Sequence, residues 1–164
     1  VSGVFTHHSA RPVERVRSVA QKVGETGRKP SGFWISRDGD DSWEAWCRSE
    51  EYWIGSLAVR HEVRLAEHAS ILSLSTAKEL EGFTEQYGLP EAWASYSIKM
   101  IDWSRVAAEY SGIMIVPYIW SCRLDGPASG WYYSWDCASG CIWDASAIAS
   151  IAPVREPALA RGQA

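Results

Sequence analysis

Apolar and polar positions change period several times along the chain, and these changes predict its elements. Val4-Phe5-Thr6-His7-His8-Ser9 is β-branched and aromatic, ends in polar residues, and reads as a short strand. Pro12 is suited to open a helix, and Val13, Val16, Val19, Ala20 and Val23 recur behind it at helical spacing, with Gly24 or Gly27 to stop it. Phe33-Trp34-Ile35-Ser36 reads as a second short strand. An acidic loop follows, in which Asp41 or Ser42 can cap a helix with Glu44 in its first turn. Trp43, Trp46 and Cys47 share one face of that helix, with Glu50 next on it. Arg60 to Leu65 alternates like a half-exposed strand, and Ile71-Leu72-Ser73-Leu74 reads as a more buried one.

Ser75 or Thr76 with Glu79 forms a capping box for a helix that carries Leu80 and Phe83 and ends at Gly88. Residues 91–100 read as helix or irregular. Asp102 caps another helix, closed by Gly112, and Ile113-Met114-Ile115-Val116 is the strongest buried strand. Residues 124–130 form a turn-rich loop. In the stretch from Gly130 to Asp144, Trp131, Tyr133 and Trp135 alternate as on one face of a strand. Ala138-Ser139-Gly140 suits a bulge or a close approach of backbone, and Cys141-Ile142-Trp143 resumes a short strand. Asp144 reads as the cap of a helical turn or a strand exit. Residues 153–164 carry two prolines and little apolar content, which predicts a disordered tail. Short strands dominate and do not alternate strictly with helices, so the expected fold is α+β, in one domain over residues 1–152.

Composition sharpens this picture at a few points. Ten tryptophans are an excess that fits either a bulky core or a site for a flat ring. A net charge of −4 argues against binding driven by broad phosphate neutralisation, though not against a local basic groove. No apolar run approaches the roughly 18 residues of a membrane span. Val1 to Phe5 lacks a basic region leading into an apolar one, and Cys47, Cys122, Cys137 and Cys141 show no small-scaffold disulfide pattern, so the expectation is a reduced, cytoplasmic protein.

Most familiar chemical motifs are absent. There is no Gly-rich phosphate loop, no Gly-x-Ser-x-Gly elbow and no His-Glu-x-x-His. Cys137 and Cys141 with His7 and His8 fall short of zinc spacing and read as buried thiols, so no metal is expected. Asp38-Gly39-Asp40-Asp41 lacks the rest of a calcium loop and reads as solvated. Taken alone, Trp34 reads as core, and His7 or His8 as a hydrogen-bonded strand-end residue.

Three segments taken together resemble the ADP-ribosyltransferase superfamily. Phe5-Thr6-His7-His8-Ser9 matches the family's opening strand, with His7 in the His position and Ser9 in the Ser/Thr position. Gly32-Phe33-Trp34-Ile35-Ser36, then Ser42-Trp43-Glu44-Ala45-Trp46, matches its Gly-apolar-aromatic-apolar-Ser strand and aromatic helix. Cys141 to Ile148 matches the second half of its late strand. The resemblance implies a split antiparallel sheet with flanking helices. It also implies NAD as substrate and transfer of ADP-ribose to an unknown macromolecular acceptor, protein or nucleic acid, as in a bacterial or phage effector or toxin. In that reading His7 and Ser9 hold NAD and Gly32 opens the nicotinamide strand. Trp34, with Trp46 or Trp43, sandwiches the flat cationic ring, where stacking and cation–π attraction suit it.

The chain departs from the family pattern at the catalytic acid. Counting back from Trp143-Asp144, the Glu position falls on Ser139, and no Glu occurs between Glu109 and Glu156. Asp136 can substitute if Ala138-Ser139-Gly140 bulges the strand; otherwise Ser139 acts alone. The family's RNA 2'-phosphotransferase branch works without that Glu, and Arg11, Arg15, Arg17, Lys29, Arg37 and Arg123 are available to hold its phosphate. A binding module without chemistry is the third reading.

Overall fold

The computed structural model describes residues 3–22, 28–90 and 99–154. It is an α+β protein built on one mixed seven-stranded sheet. The strands are β1 (Val4–Ser9), β2 (Phe33–Ser36), β3 (Val59–Leu65), β4 (Ile71–Leu74), β5 (Gly112–Ile115), β6 (Ser139–Ile142) and β7 (Ile148–Pro153). Their order across the sheet is β4-β5-β6-β2-β1-β3-β7. The expected sheet was antiparallel; the edge pair β4–β5 is parallel, and the pairs inward of it are antiparallel. At the centre, β1 and β2 meet through the single pair Thr6↔Ser36. The neighbouring pairs β1–β3 and β2–β6 run for six and four residue pairs. The sheet is therefore nearly parted at one seam.

Helices α1 (Trp43–Ser49), α2 (Ala77–Tyr87), α3 (Trp103–Glu109), α4 (Ser121–Leu124) and α5 (Ser129–Tyr132) accompany the sheet. The longer ones start where side chains can satisfy their first free N–H groups. Ser42 accepts from the Ala45 N–H, Thr76 and Glu79 form a full capping box, and Asp102 accepts from the Ser104 and Arg105 N–H groups. Strand parity then sorts the core. Leu74, Ile113, Ile115 and Cys141 face a large cluster with Leu80, Phe83, Trp103, Val106, Trp131 and Trp135. Phe5, Ile35, Val63, Met114 and Ile142 face a smaller cluster on the other side.

Four further expectations are corrected. Residues 13–22 form neither helix nor strand. The Val13 N–H donates to His61 Nε2 and the Val19 N–H to the Trp143 carbonyl, so these amides are spent on tertiary partners. Val19 is exposed, and β-branched residues gain little from a helix that buries no stripe. Gly24 and Gly27 lie outside the described residues.

Trp131, Tyr133 and Trp135 do not lie on a strand. Trp131 and Trp135, four residues apart, both enter the core, and Tyr133 points outward. The Trp131 indole donates to Thr84 Oγ1 at 2.9 Å and meets Trp103 and Trp135 edge to face. Nor does Ala138-Ser139-Gly140 bulge. Ser139 and Gly140 open β6 in regular register with both β2 and β5.

The chain also gains β7, which pairs with β3 from Leu65↔Ile148 to His61↔Pro153. Pro153, expected to begin the tail, is the last residue of this edge strand, where a missing N–H costs no ladder bond. Residues 155–164 lie outside the described part. Among the described residues no helix is long and apolar enough to cross a membrane.

Candidate functional site

A cavity of about 730 Å³ opens over the seam between β1 and β2. Its size lies within the usual range of small-molecule sites, roughly 300–1,000 Å³. Strand register explains which side chains reach it. Thr6, Ser36 and Ser139 stand in one row across β1, β2 and β6, since Thr6 pairs with Ser36 and Ser36 with Ser139. Trp34 and His8, two residues from Ser36 and Thr6, share that face. The three hydroxyls are buried and make a polar floor. Thr6 Oγ1 donates to the Ser36 carbonyl at 3.2 Å, and Ser139 Oγ to the Cys137 carbonyl at 3.1 Å.

Aromatic rings form the walls. Trp34 lies edge to face with Trp135, ring centroids 4.9 Å apart, which sets its ring plane. Trp43 and Trp53 line the cavity, whereas Trp46 lies behind: it stacks on Trp43 at 5.2 Å with planes 19° apart. Of the two expected sandwich partners for Trp34, Trp43 is the one at the wall. Trp53 stands at the start of the 3-10 turn Ile54–Leu57 with a left-handed backbone, φ 51°. That conformation is uncommon for a bulky residue and holds its ring outward, 67% exposed.

Asp136 is the one Asp or Glu among the described cavity-lining residues. Lys29 Nζ donates to its carboxylate at 3.1 Å and sits 5.4 Å from the centroid of the Trp34 ring. Beside Asp136, burial pushes the Cys137 thiol up to about 12, so it is protonated at neutral pH and a poor nucleophile.

The two histidines of β1 divide between the faces. His7 and Ser9 contribute to the cavity wall, but their parity is that of buried Phe5. The His7 ring packs on Phe33 at 4.1 Å, and its Nδ1 donates to the Trp34 carbonyl at 2.7 Å. Ser9 Oγ donates to the Arg11 carbonyl. His8 is on the cavity face, its side chain 3% exposed, and neither ring nitrogen makes a well-formed hydrogen bond among the described residues. The Glu44 carboxylate stands 3.7 Å from its Nε2. Burial lowers the pKa of both imidazoles, for His7 against its bond to the Trp34 carbonyl and for His8 against the pull of Glu44.

This predicts a pH dependence. A histidine held below its ordinary value of 6.5 refuses, when folded, a proton that the unfolded chain binds. Stability is thus complete above that pH and declines as pH falls through it. Melting temperature should drop between about pH 7.5 and pH 5, and His8→Asn should flatten part of the slope. A wild-type melting temperature constant over that window would contradict the assignment.

Gly32 does not reach the cavity. A Cβ there would lie 2.5 Å from the Ile142 carbonyl oxygen, so the glycine lets the chain enter β2 against β6. Asp136, Ser139, His7, Ser9 and Trp34 are brought to the cavity; Gly32 and Trp46 support it from behind. Thr6, His8, Ser36, Trp53 and Ser56 also line it, beyond the residues that the sequence pattern points to. Alternation from Phe5 was the signal for Thr6 and His8, while nothing in the sequence marked Trp53 or Ser56. Of the six basic candidates, only Lys29 lines the cavity. Arg37 lies over Phe5, and Arg123 over Trp120 and Tyr133. Comparison with protein-family models, with characterised proteins and with solved structures finds no match to the chain.

Proposed function

We propose that the cavity binds NAD and that the protein transfers its ADP-ribose to a macromolecular acceptor. The observation that carries this reading is an indole face, Trp34, standing beside one carboxylate, Asp136, in a single cavity. It draws further support from the three segments that resemble the ADP-ribosyltransferases. They are far apart in sequence, yet their strands β1, β2 and β6 are neighbours, and the cavity lies on the seam that nearly parts the sheet.

In this mechanism Trp34 stacks the cationic nicotinamide ring, with Trp43 from α1 as the facing wall. The bond between C1' of the ribose and the ring nitrogen breaks, and its electron pair leaves with neutral nicotinamide. The carboxylate of Asp136 stabilises the positive charge that develops on the ribose, an electrostatic contribution made in a partly desolvated site. The acceptor's nucleophile then bonds to C1' and loses its proton. The buried hydroxyls of Thr6, Ser36 and Ser139 give the cavity floor hydrogen-bonding capacity for ribose hydroxyls. The phosphotransferase reading has less behind it, because among the described residues one Lys or Arg lines the cavity where a phosphate site calls for several.

The test is binding and turnover of NAD. NAD should quench tryptophan fluorescence, and Trp34→Ala should weaken binding by about fivefold to 150-fold while the protein keeps its far-UV spectrum, since losing a stacking partner costs about 1–3 kcal/mol. Wild-type affinity in the folded variant would sink the stacking role of Trp34. Quenching by NAD with no release of nicotinamide, with or without candidate acceptors, would instead favour a binding module, a reading that the neutralising Lys29–Asp136 pair also serves.

A further inference from the structure

Lys29 stands where the cavity would hold a positive charge. Its ammonium faces the Trp34 ring at 5.4 Å and the Asp136 carboxylate at 3.1 Å. These are the two features a flat organic cation would use at that point: a π face and a counter-charge. The Lys29 side chain is 36% exposed and comes from the loop before β2. A long side chain in such a loop can swing outward without disturbing the core.

We propose that Lys29 is a tethered occupant of a subsite for flat organic cations, formed by Trp34 and Asp136, and is displaced when such a cation binds. The inference rests on the reading of the cavity as an NAD site and adds a determinant of specificity to it. The oxidised nicotinamide ring is cationic and replaces the ammonium charge for charge. The reduced ring is neutral and would leave Asp136 without its counter-charge. The diphosphate of the dinucleotide offers the released ammonium an anionic partner. Lys29 thus keeps Asp136 neutralised until ligand arrives, and ligand binding unmasks the acid beside the bond to be broken.

The experiment measures binding of 1-methylnicotinamide, a flat cation without ribose or phosphate, to the wild-type protein and to Lys29→Met. Nicotinamide serves as the neutral control, and NAD binding to the wild type is followed in parallel. Removing the resident ammonium should tighten binding of the cation by about tenfold and leave nicotinamide within about twofold. Adding Asp136→Asn to Lys29→Met should abolish that gain. Unchanged or weaker binding of the cation in folded Lys29→Met would overturn the proposal, even if the wild type binds NAD. So would an equal gain for nicotinamide, since vacated space alone would then explain both. A selective gain for the cation in a protein that fails to bind NAD would overturn the dinucleotide reading and leave the cation subsite standing.

Discussion

Replacing Asp136 by asparagine should cut nicotinamide release from NAD by about a hundredfold to a thousandfold, the usual loss when one group stabilising transition-state charge is removed. Affinity for NAD should change by less than about fivefold, because asparagine removes the counter-charge both from Lys29 in the free protein and from the cationic ring in the complex, and the two losses offset. The substitution preserves shape and can still accept a hydrogen bond from Lys29, so the cavity should keep its form. Release measured by chromatography, with affinity from fluorescence quenching, separates the two effects. Ser139→Ala should cost far less, since that hydroxyl already donates to the Cys137 carbonyl. If Asp136→Asn released nicotinamide at the wild-type rate while Ser139→Ala did not, the catalytic role would move to Ser139.

The sequence leaves Asp136 and Ser139 as alternatives for the acid position, and the reason is physical. A bulge at Ala138-Ser139-Gly140 would have carried Asp136 into the strand position counted for the acid. The strand is regular instead, and Asp136 reaches the cavity from the loop ahead of β6, anchored by the bond from the Ala138 N–H to the Asp41 carbonyl. Sequence patterns report what is local. The caps at Ser42, Thr76 and Asp102 were legible because a cap and its helix lie within four residues of each other. The valines of residues 13–22 and the tryptophans of residues 131–135 misled because spacing shows only that residues could share a face. It does not show which amides find tertiary partners, as Val13 does in His61 and Val19 in Trp143.

The site was legible to the same degree. Trp34 and its neighbourhood on β2 were visible, as was the approach of β1. Parity along β1 held a signal that the resemblance passed over: Thr6 and His8 share one face and Phe5, His7 and Ser9 the other, although His7 and Ser9 also line the cavity. The ion pair of Lys29 with Asp136 spans 107 residues, and no local pattern encodes it. The tryptophans divide between two places: Trp103, Trp131, Trp135 and Trp143 are buried in the larger core, while Trp34, Trp43 and Trp53 line the cavity.

Gly140→Ala should destabilise the fold by about 3 kcal/mol, at the upper end of overpacking costs, and lower the melting temperature by about 6–12 °C for a chain of this size. Gly140 sits in β6 between β2 and β5. A Cβ there would lie 2.5 Å from the Ile113 carbonyl oxygen and 2.8 Å from the Met114 sulfur. Met114 can turn aside, but the Ile113 carbonyl belongs to the β5 backbone, so relief requires β5 and β6 to part. Those strands carry Ile113, Ile115 and Cys141 into the larger core, and the same movement would disturb Ser139 on the cavity floor. Gly82 is the counter-case. It lies exposed within α2, and a Cβ there would meet nothing within 4 Å. Gly82→Ala should therefore stabilise by about 0.5–1 kcal/mol, through helix propensity and a less free unfolded chain. Thermal or denaturant unfolding of the two variants distinguishes strand contact from a general intolerance of alanine at glycine positions. A Gly140→Ala protein as stable as the wild type would mean that β5 and β6 are not packed at this distance, and with them the floor built on Ser139.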